Sequence, residues 1–270
     1  MLTVAQLFFW LILYSFIGWV YESTLCSVTQ HKLVNRGFLA GPLCPIYGFG
    51  ALVIILCLGR EANSSILSLF LSGAVLTCTL EYLTSWLMEK LFHARWWDYS
   101  HYRFQLNGRV CLLGAVAFGT MSVLILKVVH PFVKDLTERI PEQILYIICG
   151  LLLLLVAADT VTTVRSVVNM NQKLAEVQAA LDRIKERVSD VKDDISERRG
   201  RLHDHGQKIL ERVEQNSLWT NRVKELLSQR RFQERRLLKE FPRFAPVNHR
   251  DALEVLKAKL EEFRREKRSK

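Results

Sequence analysis

The chain has 270 residues and a formal net charge of +10 at pH 7. Residues 1–165 carry 11 Lys/Arg against 9 Asp/Glu amid mostly apolar residues, whereas residues 166–270 carry 26 against 18. That split excludes a single soluble globule and fits a membrane half followed by a charged, soluble half.

Five apolar runs reach or approach the length needed to cross about 30 Å of hydrocarbon. They lie at about 4–28, 43–59, 65–91, 109–129 and 142–165. The first has no basic residue before it and no small-x-small cleavage site. It is therefore expected to stay as a membrane helix rather than leave as a signal peptide.

Residues 35–48 lie between the first two runs, with three glycines and two prolines that rule out an ordinary helix interior. They are expected to form a fixed, irregular element at a membrane surface or folded part-way in. Such backbone survives at that depth only when buried in protein or lining a wet cavity. Residues 92–108 form a second polar loop, with Trp96, Trp97 and Tyr99 suited to the interface belt. The basic residues after the fifth run put that end in the cytoplasm, so five spans put the N-terminus outside and both polar loops inside.

After residue 165 the pattern changes. Val167, Met170, Leu174, Val177, Leu181, Ile184, Val188, Val191 and Ile195 recur at spacings of three and four, a heptad seam that needs a partner helix or a second copy. Around Gly200 and Gly206 the seam weakens, and either one continuous helix or a hairpin satisfies the pattern. Pro242 and Pro246 end that helix, and Asn248 caps a last basic one. The expected fold is all-α: a five-helix transmembrane domain (1–165), a long cytoplasmic coiled-coil-like helix (166–240) and a short basic C-terminal helix (241–270).

Glu22, Glu81, Glu89 and Asp159 lie in or near membrane runs, where acids face a bundle interior or water. Glu89 reads as interfacial and solvated. Glu22, Glu81 and Asp98 would give a cytoplasm-facing pocket its negative charge, and Arg36 and Arg109 would pair with them or hold an anion. The alternative is a set of buried ion pairs closing the bundle. The six cysteines all fall in the first half without CxxC or metal spacing, and read as small hydrophobes. No P-loop, GxSxG or HExxH occurs. No metal or cofactor is expected. Nucleic acid is not expected as a partner either, since acids interleave with the basic residues.

Phe16-Ile17-Gly18-Trp19-Val20-Tyr21-Glu22, the run from Asn35 to Gly48, Glu81-Tyr82, Trp97-Asp98-Tyr99 and Asn107-Gly108-Arg109 resemble a bacterial membrane family. This is the CmpB-like permease family, classed as ABC-transporter type IV. The resemblance covers about residues 1–165 and leaves the coiled tail outside. It marks Glu22, Asn35, Arg36, Glu81, Trp97, Asp98, Asn107 and Arg109 as pocket candidates, and Gly37, Gly41, Pro42, Pro45 and Gly48 as the frame of the loop. Tyr47 is also part of the motif. It implies a permease subunit of the bacterial cell membrane with an ATPase partner. A scaffold or signalling protein using the coiled tail, and a membrane-embedded enzyme acting on lipid-like substrates, are the competing readings.

Overall fold

The computed structural model describes residues 2–31, 34–197 and 245–246. It divides the chain into two compact units, the first running through Arg165 and the second starting at Ser166. In the first unit, α1 (Val4–Gln30) starts at a capping box: Thr3 accepts from Gln6 N–H, and the Gln6 side chain accepts from Thr3 N–H. Next come α2 (Pro45–Leu58), a 3₁₀ turn and α3 (Ile66–Phe92), capped by Ser65. Three short strands follow, β1 (Ala94–Arg95), β2 (Gln105–Leu106) and β3 (Val110–Cys111), then α4 (Leu112–Leu124), a π-helical stretch (Ile125–Val129) and α5 (His130–Glu138). The last long helix is α6 (Glu142–Glu197). Ala245–Pro246 form a two-residue strand, β4.

Among the described residues, four helical stretches are long and apolar enough to cross a membrane: Val4–Thr29, Ile66–Phe92, Leu112–Glu138 and Glu142–Ala179. The expected second span differs. Its helix has 14 residues, about 21 Å at 1.5 Å per residue, which falls short of the hydrocarbon thickness. Pro45 sets the limit, because a proline fits the first turn of a helix and not its interior.

The expected fourth span also differs. Its helix runs on to Glu138 despite Pro131. The turn before that proline widens, and His130 N–H bonds the Ile125 carbonyl five residues back. The fifth runs on through residue 197 without a break. Seam residues Val167, Met170, Leu174 and Val177 are buried in the second unit. The question of a turn at 200–206 and the expected last helix lie outside the described residues.

Close approach organises the bundle. Gly73 of α3 sits against Ser122 of α4, and Gly119 sits against the ring and carbonyl of Phe70. Small residues let membrane helices approach in this way. Trp10, Tyr14, Ala51, Ile55 and Val133 form one apolar core across α1, α2 and α5. Two polar ties cross it: Trp10 Nε1 donates to Thr137 Oγ1 at 3.0 Å, and Tyr14 Oη lies 3.2 Å from His130 Nδ1.

Candidate functional site

The loop before α2 retraces α1. Val34 N–H donates to Ser27 Oγ (3.1 Å) and Arg36 N–H to Ser23 Oγ (3.3 Å). Deeper, Trp19 Nε1 donates to Asn35 Oδ1 (2.7 Å) and Cys44 N–H to the Ser15 carbonyl (2.9 Å). Helix α2 starts at that level, with Tyr47 against Gly18 and Gly48 against Ser15 and Leu11. Residues 34–58 therefore run back along most of α1, irregular for the first part and helical for the second.

The irregular part is held by side chains. Asn35 Oδ1 also accepts from Gly37 N–H (3.1 Å), and its Nδ2 donates to the Ala40 carbonyl (3.0 Å). Asp159 of α6 accepts from Ala40 N–H (3.0 Å) and Gly41 N–H (2.8 Å), with Thr163 Oγ1 donating to the same carboxylate (3.1 Å). Buried amides need such acceptors, because each one left unpaired costs a hydrogen bond or more. Glu22 closes the cluster. Its Oε2 accepts from the Tyr47 hydroxyl at 2.8 Å, and its Oε1 meets Arg36 Nε at 3.5 Å.

A second cluster sits at the end of α3. Gly73, Thr77, Glu81, Ser85 and Glu89 recur every fourth residue, so they share one face. Glu89 holds two guanidinium groups, Arg95 at 2.9 Å and Arg109 at 3.0 Å. It is not the solvated acid expected of it, and it pairs with Arg109, which was expected to meet Glu22, Glu81, Asp98 or an anion. Arg109 also donates to Ser85 Oγ (3.4 Å), stacks over Tyr82 at 5.5 Å and is buried.

The β2–β3 hairpin delivers Arg109. Asn107 and Gly108 turn with φ of 52° and 68°, the left-handed pair a tight hairpin needs. Asn107 Nδ2 donates to Tyr82 Oη (3.0 Å), and Trp97 Nε1 donates to the Arg109 carbonyl (3.0 Å). Asp98 turns back on its own loop and accepts from Ser100 N–H at 2.9 Å. Burial would raise its carboxyl, but the Ser100 hydrogen bonds and the charges of Arg95 and His101 together hold it below the usual aspartate value.

Glu81 stands between the clusters. Its Oε1 accepts from the Tyr99 hydroxyl at 3.1 Å. Burial first, and then the neighbouring Glu81 carboxylate, hold the Tyr99 phenol far above the ordinary tyrosine value, so it remains a donor. Glu81 Oε2 is buried with no hydrogen-bond partner among the described residues. A cavity of about 60 Å³ opens here, lined by Ile46, Tyr47, Ala51, Glu81, Phe118 and Met121 among others. Tyr47 thus touches both Glu22 and the cavity. No group of three or more His, Cys, Asp or Glu among the described residues is placed to hold a metal ion.

Of the eight pocket candidates, Glu22 and Arg36 meet each other, and Glu81 reaches the cavity wall. Asn35 is spent on the first loop. Trp97, Asn107 and Arg109 brace the second, and Asp98 fixes a turn within it. Tyr47, Tyr99, Ser85 and the clamp by Asp159 are contacts not foreseen in these roles. The fourfold spacing through Thr77, Glu81, Ser85 and Glu89 was the available signal for Ser85. For Asp159 its place in a membrane run flagged the acid, but no local signal names its partners, which are backbone groups 118 and 119 residues away.

Comparison with curated proteins and with solved structures finds no match. A family model does match, over residues 9–164. That stretch holds the loop along α1, the hairpin and the four acids Glu22, Glu81, Glu89 and Asp159, and by this match the chain belongs to the family described as Putative ABC-transporter type IV.

Proposed function

We propose that the chain is the membrane-embedded permease subunit of a transporter. Its solute site is the cavity between α2, α3 and α4, and Glu81 is the residue that meets the solute. The observation that carries this reading is the broken course of residues 34–58. A half-irregular, half-helical passage at membrane depth is stable only where it is packed in protein or lines a cavity. Transporters use such interruptions to build sites near the bilayer midplane. Here the break leads into a cavity lined by Tyr47 of α2 and by Glu81. Counting residues 34–58 as one passage gives five, with the N-terminus outside and the charged tail in the cytoplasm. Glu22, Arg36 and Tyr47 set the position of α2, while Glu89, Arg95 and Arg109 set the end of α3. Both groups lie on the side proposed as cytoplasmic, where an ATPase subunit would dock.

The test is isolation of the full-length protein from its native membrane with its partners, followed by an ATPase assay on the complex. An ATP-hydrolysing subunit should accompany the chain, and Glu81→Gln should change the turnover of the intact complex. A chain that comes away with no such subunit, and a turnover indifferent to Glu81→Gln, would sink the permease reading. The heptad seam that begins at Val167 favours a second role, in which the helix after residue 165 holds a partner helix.

A further inference from the structure

The hairpin that delivers Arg109 has an outer face that the site does not use. Phe104 precedes β2 and Leu106 lies within it, two residues apart, so both point to the same side of the strand. They are 65% and 58% exposed, and Tyr102 beside them is exposed as well. Leu112 N–H donates to the Phe104 carbonyl at 3.0 Å, which ties this face to the first residue of α4. Leu112, Val116 and Leu124 are exposed and share one flank of α4 by their spacing. That helix opens a stretch apolar enough to cross a membrane, so the flank meets acyl chains. The apolar face of the hairpin therefore continues a lipid-facing flank past the end of its helix, where hydrocarbon gives way to head groups.

The charge on this face has one sign. Residues 99–113 hold His101, Arg103 and Arg109 and no acid. Arg109 is buried against Glu89. Arg103 is exposed, with its guanidinium 5.9 Å from the centre of the Phe104 ring, and it belongs to none of the ion pairs among the described residues. His101 lies against the Tyr102 ring at 4.2 Å. Apolar side chains on one level with a cation beside them are the pattern of an element lying in the membrane interface, where arginine buries its stem and keeps its head among polar groups. An acidic protein surface would satisfy Arg103 equally well. It would not account for an apolar face continuous with the lipid-facing flank of α4.

We propose that the β2–β3 hairpin is an interfacial anchor that selects anionic phospholipid. Phe104 and Leu106 enter the boundary between head groups and acyl chains, and Arg103 pairs with the phosphate of an anionic head group. The anchor is separate from the cavity and holds whether or not that cavity is a solute site.

The experiment uses the full-length protein with Leu106→Cys in a Cys57→Ser background, labelled with bimane, whose apolar ring replaces the apolar side chain. The parent's signal is subtracted. Nanodiscs of phosphatidylcholine receive increasing fractions of phosphatidylglycerol or phosphatidylcholine, brominated near the top of the acyl chains. Brominated lipid should quench the label, and aqueous iodide should not. Brominated phosphatidylglycerol should quench at about a fivefold lower mole fraction than brominated phosphatidylcholine, the effect of one basic residue at an anionic surface. Arg103→Gln should abolish that preference, and Phe104→Ser should let iodide reach the label. Both side chains are exposed, so neither change removes a buried contact. Quenching by iodide and not by lipid, the outcome if this face is kept for a protein partner, overturns the proposal. Equal quenching by the two brominated lipids before substitution, or a preference that survives Arg103→Gln, also overturns it.

Discussion

Asp159 accepts the backbone N–H of Gly41 at 2.8 Å, across 118 residues of sequence. With the Ala40 N–H on its other oxygen, this carboxylate satisfies two amides of a loop that has no ladder of its own. The acid in the last span is therefore a clamp. Asp159→Asn keeps one acceptor oxygen and turns a donor toward the other amide. It should lower stability by about 1–3 kcal/mol, the cost of stranding a buried donor. Unfolding of the purified protein in detergent checks this, and a change below about 0.5 kcal/mol would show that water replaces the clamp.

Gly18 and Gly48 fix how closely α2 lies on α1. A Cβ at residue 18 would overlap Tyr47 Cβ and Cγ, and one at residue 48 would overlap Ser15 Oγ and the Leu11 carbonyl. Gly18→Ala and Gly48→Ala should each cost about 1–3 kcal/mol or more, as overpacking does. Gly150→Ala meets nothing within 4 Å and should be neutral or slightly stabilising in the same unfolding assay.

Glu89 holds two arginines that should not be equivalent. Arg109 keeps 10% of its side-chain surface and Arg95 keeps 32%. Arg109→Gln leaves Glu89 short of its buried partner and should cost about 3 kcal/mol, while Arg95→Gln should cost about 1 kcal/mol or less. Arg109→Lys should not rescue, because a single ammonium cannot reproduce the planar fork that meets Ser85 and Glu89 separately. The relative melting temperatures of the three variants decide it.

Asp98 gives the hairpin loop a pH dependence. Its carboxyl is held below the ordinary value in the folded chain. Its contribution is therefore present above the unfolded aspartate pKa of about 3.9 and is lost as pH falls through the lower folded value. Protection of residues 98–108 from protease should fall with acidification below about pH 4 in the native chain. Asp98→Asn should already be less protected at pH 7 and should change less with acid. An identical pH profile in both would remove Asp98 from the account.

Much of the bundle was legible because hydrophobic length and periodicity report membrane helices directly. The starts of α1 and α3 lie within two residues of the apolar runs. Helix α2 was read too long, since apolarity persists where Pro45 and the loop prevent helix. The extension to Glu138 was missed because a π-turn absorbs Pro131, and no composition rule reports that. In the site, charges near membrane runs pointed to Glu22 and Glu81, because such groups need partners. Glu22 meets Arg36, one of the pairings those charges suggested. Each acid also accepts from a tyrosine hydroxyl, of which Tyr99 read as an interface aromatic and Tyr47 only as part of the motif. Asn35 and Asn107 stood out as polar, yet their work is to hold backbone turns in shape.

The measurement that bears most directly on the broken passage is sidedness of labelling by a membrane-impermeant thiol reagent in oriented, sealed vesicles. His31→Cys, Asn63→Cys and Ser100→Cys are each placed at exposed positions in a Cys57→Ser background, with the parent's labelling subtracted. If residues 34–58 cross once, positions 31 and 100 label from the cytoplasmic side and position 63 labels only from the other. Labelling of 31 and 63 from the same side would contradict the broken second passage, and with it the five-passage permease.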